Sequence, residues 1–196
     1  RVYQQGYLKY LVGSLMIFTA CAEVDLSDSK DSTDKLLGGQ VTSIRPEIGR
    51  LSLNGTLCTA TLIRPQVVIS AAHCVGYRTR SGRLGDFVVE RNGKAYRFPI
   101  DGVYSYGDRL GEKDIALLHL SQVVPNTIAQ PTSIALYEPT QGEVTIFGYG
   151  CSNRRTRRGP RRKQLFTHDV TKRSNNLCPG DSGGPVVVGT NGPVFK

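Results

Sequence analysis

The chain has 196 residues, of which 39% are hydrophobic and 21% are charged. This composition is that of an ordinary globular protein, and no repeat or second long apolar run supports a collagen-like, coiled-coil or multi-span membrane protein. The 25 Lys and Arg against 16 Asp and Glu give a net charge of +9, which raises nucleic acid or an anionic membrane as partners.

Residues 1–21 have the pattern of an export signal. Basic residues precede an apolar stretch at 10–20 that has signal-peptide length and is too short for a membrane span. The segment ends in FTAC at 18–21, which resembles a bacterial lipobox and makes Cys21 a lipidation candidate. An overlapping A-x-A site would instead release a soluble protein after Ala22. Both routes predict a location outside the cytoplasm, either secreted or lipid-anchored at a bacterial envelope.

An acidic segment follows at residues 22–35. It holds five Asp or Glu, two Lys and four Ser or Thr without apolar periodicity. This pattern predicts a solvated tether or pro-segment rather than a folded element. The segment ends at Lys35, directly before the sequence LLGG at 36–39.

From residue 40 onward, short apolar runs alternate with turn signals, which is typical of strands and hairpins. Asn92-Gly93 lies between two such runs and predicts a hairpin. Three prolines within 121–139 indicate a crossing between two halves. We therefore predict an all-β fold. The predicted strands are 57–63, 67–70, 87–90, 95–98, 115–120 and 144–147.

Three short motifs carry residues suited to nucleophilic catalysis. They are SAAHC at 70–74, DIALL at 114–118 and GDSGGP at 180–185. A serine hydroxyl is a poor nucleophile until a base removes its proton, and an imidazole does so well only when a carboxylate fixes its tautomer and stabilises its charged form. His73, Asp114 and Ser182 supply these three groups. The remaining histidines, His119 and His168, are interpreted as structural or surface residues.

With these motifs, the chain from Leu36 to its end resembles the chymotrypsin-like, trypsin-family serine endopeptidases, in which the three residues also occur in the order His, Asp, Ser. The resemblance implies two packed antiparallel β-barrels, the first over about 36–120 and the second over about 136–196. It also implies protein or peptide substrates, a monomer, and no cofactor or metal. Membrane attachment is expected only through a lipidated Cys21.

The resemblance also implies roles for individual residues. His73 would be the general base, Asp114 would orient it, and Ser182 would be the nucleophile. The backbone N–H groups of Gly180 and Ser182 would form the oxyanion hole.

Four cysteines besides Cys21 are available for pairing, and four cysteines allow three pairings that spacing alone does not distinguish. The resemblance implies a Cys58–Cys74 disulfide, which would fasten the His73 loop to the preceding strand. Cys151 and Cys178 remain, and a bridge between them would join the segment after residue 150 to the approach to Ser182. Disulfides require an oxidising, extracytoplasmic compartment.

Activation has a parallel in the family, where cleavage frees an amine that pairs with the aspartate before the catalytic serine. The resemblance implies a zymogen cleaved after Lys35, with Leu36 as the new terminus and Asp181 as its partner. Leu36 stands where the family usually has Ile.

Two departures from the family bear on substrate binding. Few residues separate Asp114 from Ser182 and few follow Ser182, so we expect a second barrel that is shortened and truncated in a C-terminally incomplete chain. Asn176 is the candidate for the floor of the specificity pocket, where the trypsin branch keeps an acid, and this argues against cleavage after Lys or Arg. A shifted alignment would place Asn175 or Leu177 there.

Most of the net charge lies in the window 154–163, which holds seven Arg or Lys and no acid. No aromatic residue alternates with these arginines and no nucleic-acid-binding module surrounds them, so no specific nucleic-acid partner is predicted. The pattern predicts an exposed loop. Three interpretations of this loop stay open. It could favour acidic substrates or surfaces, it could be a cleavage site for trypsin-like enzymes, or it could be a solvated loop without a role.

Two functions therefore compete. The leading hypothesis is a serine endopeptidase that acts through a Ser182 acyl-enzyme. The alternative is a catalytically impaired homologue that uses the fold as a binding module. The three intact residues favour the first hypothesis, and the missing C-terminal strands favour the second.

Overall fold

Strands dominate the computed structural model, which describes residues 39–53, 55–76, 84–106, 113–135, 139–151, 162–171 and 177–195. These residues all belong to one unit, Ser32–Lys196. The described elements in chain order are β1 (Gln40–Val41), β2 (Ile48–Leu53), β3 (Thr56–Arg64), β4 (Val67–Ser70), α1 (Ala72–Val75), β5 (Gly85–Arg91), β6 (Lys94–Tyr106), β7 (Ile115–Leu120), β8 (Glu143–Gly148), β9 (Gln164–Asp169), β10 (Val186–Val188) and β11 (Val194–Phe195). None of the helical residues described forms a segment long and apolar enough to cross a membrane.

Six strands close into an antiparallel barrel in the order β2-β3-β4-β7-β6-β5. Inward-facing apolar side chains from these strands fill it, and burial of each large one stabilises the fold by about 1.5–3 kcal/mol. The predicted hairpin between β5 and β6 is confirmed. Its turn residues Asn92 and Gly93 have φ values of 51° and 74°, as a tight two-residue hairpin turn requires. The fully buried residues of the barrel include Leu51, Leu62, Phe87, Ile100, Leu118 and Leu120.

The remaining five strands form an open sheet in the order β1-β9-β8-β10-β11. Its core is a small cluster of Ile48, Phe147, Val187 and Val194. Ile48 belongs to β2, so the same strand contributes to the barrel wall and to the core under the second sheet. The fold is therefore mostly β, with one closed barrel and one open sheet in the part of the chain described here.

Strand β1 lies within the range predicted for the first barrel, about 36–120, but it pairs in the open sheet. Strand β1 pairs with β9 of the open sheet, with Gln40 opposite Leu165 and Val41 opposite Gln164. Thr42 extends this ladder by donating its N–H to the carbonyl of Lys163 at 2.9 Å. The chain then turns at Arg45, whose φ is 58°, and enters the barrel as β2. Strand β1 is therefore joined to β9, which lies far along the chain, and the barrel strands begin with β2.

Candidate active site

His73 is held by the end of the barrel. Strand β4 stops at Ser70 and the chain coils at once into α1, the four-residue helix that carries His73. A disulfide joins Cys74 of this helix to Cys58 of β3, with the two Cα atoms 6.2 Å apart. The main chain of His73 is therefore fixed to the barrel on both sides, by the strand before it and by the disulfide after it.

Asp114 lies directly before β7 and contacts His73 with both carboxylate oxygens. Oδ1 accepts the backbone N–H of His73 at 2.8 Å, and Oδ2 lies 2.6 Å from ring atom Nδ1. Burial raises the pKa of Asp114, but the hydrogen bonds from His73 outweigh this, so the pKa lies below its ordinary 3.8. An ionised carboxylate only accepts, so Nδ1 carries the proton and Nε2 is left able to accept one.

The Ser182 turn lies beside the other ring nitrogen of His73. The carbonyl of Ser182 accepts the N–H of Thr59 from β3 at 2.9 Å. The Sγ of Cys74 lies 3.8 Å from this carbonyl oxygen and 3.8 Å from Nε2 of His73. These contacts join His73 to Asp114 and place the main chain of Ser182 near His73, on the other side of Cys74 Sγ.

Glycine is needed where this turn meets the barrel. Gly183 has a φ of 75°, and a Cβ there would lie 2.1 Å from Oγ of Ser70 and 2.5 Å from the carbonyl oxygen of Thr59. Any larger residue would push the turn away from β3 and β4. The small residue after Ser182 thus sets how closely the turn approaches the His73 segment.

Asp181 is buried directly beneath the same turn. Its two oxygens accept the N–H groups of Gly150 at 2.8 Å and Cys178 at 2.9 Å. A Cβ at Gly148 or Gly150 would collide with this carboxylate, so both positions leave room for it. Burial raises the pKa of Asp181 to about 6, although the two backbone hydrogen bonds act to lower it. No cation pairs with Asp181 among the residues that the structure describes.

The second disulfide joins Cys151 and Cys178, with Cα atoms 5.4 Å apart. It connects the end of the β8 segment to the start of the Ser182 turn. Cys178 also donates its N–H to Asp181, so this disulfide helps to hold the segment around the buried carboxylate.

Thr59 is a site residue that the sequence reasoning missed. Its hydroxyl donates to the carbonyl of Gly180 at 2.8 Å and accepts the N–H of Tyr149 at 3.0 Å. A polar residue inside the apolar strand sequence LCTATLI was the available signal, but threonine is common in strands and the sequence names no partner for it.

Part of the prediction of an exposed basic loop is wrong. Lys163 is 1% exposed, and its Nζ donates to the carbonyls of Arg45 and Ile48. Lys163 lies directly before β9, and its ammonium group packs against the start of β2, close to Glu47. Arg162 is exposed, and 154–161 lie outside the described residues.

Several other predictions also fall outside the described residues. They concern Cys21, Lys35, Leu36 and Asn176. The two histidines interpreted as structural or surface residues are described. His119 is exposed, with Nδ1 2.7 Å from Asp101, and His168 has Nδ1 2.9 Å from the carbonyl oxygen of Asp169.

Two further features of the described residues resemble binding sites. Cys58, His73 and Cys74 cluster with metal-ligand spacing, but the two sulfur atoms are joined in the disulfide and offer no thiolates to a metal. A polar cleft of about 460 Å³ lies near Arg45, Arg91, Gln130 and Asn191. None of His73, Asp114 or Ser182 lines this cleft, so it is separate from the site above.

Comparison with known proteins agrees with this geometry. The family model described as Trypsin matches residues 37–194, which is more than half of the chain. The chain therefore belongs to the trypsin family and contains a chymotrypsin-like serine protease domain.

Snake venom serine proteases are among the relatives that this chain resembles. Snake venom serine protease 3 of Protobothrops flavoviridis is 26% identical over 204 residues, covering 84% of this chain and 76% of the relative. Thrombin-like enzyme barnettobin of Bothrops barnetti is 27% identical over 211 residues, covering 87% and 81%. Snake venom serine protease nikobin of Vipera nikolskii is 30% identical over 135 residues, covering 65% and 52%. Membership of this family implies hydrolysis of proteins or peptides.

Proposed function

We propose that the protein is a serine endopeptidase in which Ser182 is the nucleophile. Its Oγ attacks the carbonyl carbon of a peptide bond and its proton passes to Nε2 of His73, which then gives that proton to the leaving amine. Asp114 keeps Nδ1 protonated and stabilises the imidazolium. A water molecule, activated in the same way, hydrolyses the acyl-enzyme.

The observation that carries this proposal is the pair of contacts from Asp114 to the ring and backbone of His73, beside the Ser182 turn. A surface ion pair would contact the ring alone, as Asp101 contacts His119. Fixing the ring and the main chain together aims Nε2 in one direction, which is what a general base requires.

The proposal includes an oxyanion hole made by the N–H groups of Gly180 and Ser182. Gly180 has a φ of 107°, a backbone conformation that favours glycine in this tight turn. In such sites, removing one oxyanion-hole donor lowers kcat by about 10²- to 10³-fold. In this proposal the open five-stranded sheet is the counterpart of the family's second barrel.

We further propose that cleavage after Lys35 activates the protein, with the new amine of Leu36 pairing with Asp181. Support comes from the state of this carboxylate, which is buried and has a raised pKa. An ammonium group beside it would stabilise the ionised form and order the turn that carries Gly180 and Ser182. The specificity of the pocket, for which Asn176 is the candidate, stays a prediction.

Labelling with a fluorophosphonate tests the proposal, because this reagent reacts with a serine only when a base and an oxyanion hole activate it. We expect labelling of the full chain after cleavage at Lys35, weak labelling before cleavage, and none of a Ser182→Ala variant. If the cleaved and folded protein is not labelled, the endopeptidase proposal is wrong and the binding-module alternative is favoured.

We also propose a location outside the cytoplasm, supported by the two disulfides, because disulfides form and persist in oxidising compartments. Attachment through Cys21 to a bacterial envelope stays a prediction. Incorporation of radiolabelled palmitate into the wild-type chain, and its loss in a Cys21→Ser variant, would support lipidation. Release of an unlabelled protein would favour cleavage after Ala22 instead.

A further inference from the structure

Thr59 contacts both residues whose N–H groups form the oxyanion hole in the proposed function. Its backbone N–H donates to the carbonyl of Ser182 at 2.9 Å, and its hydroxyl donates to the carbonyl of Gly180 at 2.8 Å. The carbonyls that Thr59 binds belong to the peptide planes that follow Gly180 and Ser182, so we propose that Thr59 is a positioning residue that holds this stretch of backbone and thereby places the two oxyanion-hole donors. This inference rests on the proposed function and adds a residue to its machinery.

The hydroxyl of Thr59 has both of its hydrogen-bonding directions in use. It donates to Gly180 and accepts the N–H of Tyr149 at 3.0 Å. Thr59 itself is fully buried, so water does not compete for these bonds. Within the part of the chain that the structure describes, no other donor is recorded for the Gly180 carbonyl. The same peptide plane is also held by the N–H of Asp181, which donates to the carbonyl of Cys178 at 3.0 Å, so this bond and the Thr59 hydroxyl fix the plane together.

The position of Thr59 is itself fixed by the barrel. Its carbonyl accepts the hydroxyl of Ser70 at 2.8 Å, at the end of β4 where the His73 segment begins. Hydrogen bonds through Ser70 and Thr59 thus connect the start of the His73 segment to the segment that carries Gly180 and Ser182. The sheet strands are rigid elements, and a rigid support is what holds donors aligned with a developing charge.

Replacing the hydroxyl with a methyl group separates this role from simple packing. Thr59→Val keeps the shape of the side chain and removes only the bonds to Gly180 and Tyr149. Thr59→Ser keeps those bonds and loses a methyl group. Thr61→Val makes the same change two residues further along β3, at another buried threonine that has no recorded contact with the Ser182 turn, and serves as the matched control.

The first measurement follows the backbone amides of Gly180 and Ser182 by NMR in the full chain, and it does not require activity. We expect both signals to move or broaden in Thr59→Val and to stay near their wild-type positions in Thr59→Ser and Thr61→Val. Unchanged Gly180 and Ser182 signals in a folded Thr59→Val protein would overturn the proposal.

The second measurement is the rate of fluorophosphonate labelling, with hydrolysis of p-nitrophenyl acetate as a second probe. Misplaced donors should lower both rates about 10- to 100-fold in Thr59→Val, with Thr59→Ser within about threefold of wild type. The pH dependence of labelling should not move, because the His73–Asp114 pair is untouched. A merely structural role would instead lower the rates only in proportion to the fraction unfolded.

The two measurements separate failure of this inference from failure of the proposed function. If the wild-type protein does not react with the fluorophosphonate but its Gly180 and Ser182 amides respond to Thr59→Val, the endopeptidase proposal fails and the positioning by Thr59 stands. If the wild type reacts and Thr59→Val reacts equally fast, the positioning role is rejected and the endopeptidase proposal is kept.

Discussion

Asp114 binds His73 at two points, the backbone N–H at 2.8 Å and ring atom Nδ1 at 2.6 Å. The side chain of Asp114 therefore restrains both the position of helix α1 and the rotation of the His73 ring. Because the pKa of Asp114 is lowered, the carboxylate stays ionised at neutral pH and accepts both bonds. The tautomer that leaves Nε2 free to take a proton is therefore the stable one.

Replacing Asp114 with Asn should lower kcat by about 10³- to 10⁴-fold at neutral pH, because an amide can donate to Nδ1 and so favours the wrong tautomer. Hydrolysis of p-nitrophenyl acetate by the cleaved chain measures the change. The Asn side chain keeps a similar shape, and the melting temperature should show that the variant folds.

Asp101→Asn is the matched control for this change. Asp101 also contacts a histidine, His119, at 2.7 Å, but both side chains are about half exposed and the contact involves the ring alone. We expect kcat to be unchanged in this variant. Equal losses in Asp101→Asn and Asp114→Asn would show that removing any aspartate of a histidine pair disturbs the protein, and would contradict a specific role for Asp114.

Asp181 predicts a pH dependence of stability in the uncleaved chain. Burial raises its pKa from 3.8 to about 6, so the folded state binds an extra proton between about pH 4 and pH 6. The free energy of unfolding should therefore fall as the pH rises through this window, by about 3 kcal/mol from this group. Cleavage after Lys35 should remove this loss, because a paired ammonium group lowers the pKa of Asp181.

Urea unfolding between pH 4 and pH 7 measures this effect, in a Ser182→Ala background that prevents self-digestion. The difference between that protein and its Asp181→Asn variant isolates the one carboxylate from all others. A difference that does not change with pH in the uncleaved chain would show that Asp181 titrates normally. A difference that is the same before and after cleavage would contradict the pairing with Leu36.

The disulfide between Cys58 and Cys74 should contribute both stability and activity. It closes a loop of 16 residues, and in the chain-entropy account such a loop stabilises the folded state by about 3 kcal/mol. The double variant Cys58→Ala, Cys74→Ala should lose about this amount in urea unfolding. It should also lose activity in the folded state, since Cys74 follows His73 directly. Loss of stability with full activity of the folded fraction would show that Asp114 alone suffices to place the ring.

The motifs allowed candidate catalytic residues to be assigned from the sequence because their chemistry is local. SAAHC and GDSGGP each place a reactive side chain next to glycine or cysteine residues that have few other reasons to occur together. Asp114 could be assigned only through the resemblance, since one aspartate before a strand is common. Thr59 could not be assigned at all, because its role depends on Gly180 and Tyr149, which are distant in sequence.

The fold was predictable to a similar degree. Runs of apolar residues predicted the limits of Val67–Ser70 and Ile115–Leu120, each of which pairs with a neighbouring strand on both sides. Strands Ile48–Leu53 and Gln164–Asp169 were missed, because Gly and Arg in the first and Gln, His and Asp in the second hide the alternation. Such strands form because their neighbours supply hydrogen bonds, and sequence patterns do not show neighbours.

Lys163 is another residue whose environment the sequence pattern does not show, and its burial leads to a further prediction. A basic window predicts solvated side chains, yet burial lowers the pKa of Lys163 from 10.5 to about 8, against the opposing charge of Glu47. The folded state therefore releases its proton at lower pH than the unfolded state does. The free energy of unfolding should rise between about pH 8 and pH 10.5, by about 3 kcal/mol from this group.

Lys163→Met should remove that rise and still fold. The carbonyl of Arg45 keeps the N–H of Ile48 at 3.0 Å, and the carbonyl of Ile48 keeps the hydroxyl of Tyr149 at 3.5 Å, so neither is left without a donor. Urea unfolding from pH 7 to pH 10.5 measures the effect as a difference from wild type. Lys94→Met is the control, because Lys94 is an exposed lysine whose Nζ lies over the ring of Tyr96. A wild-type rise that persists in Lys163→Met, or that disappears in Lys94→Met, would show that the buried lysine is not its source.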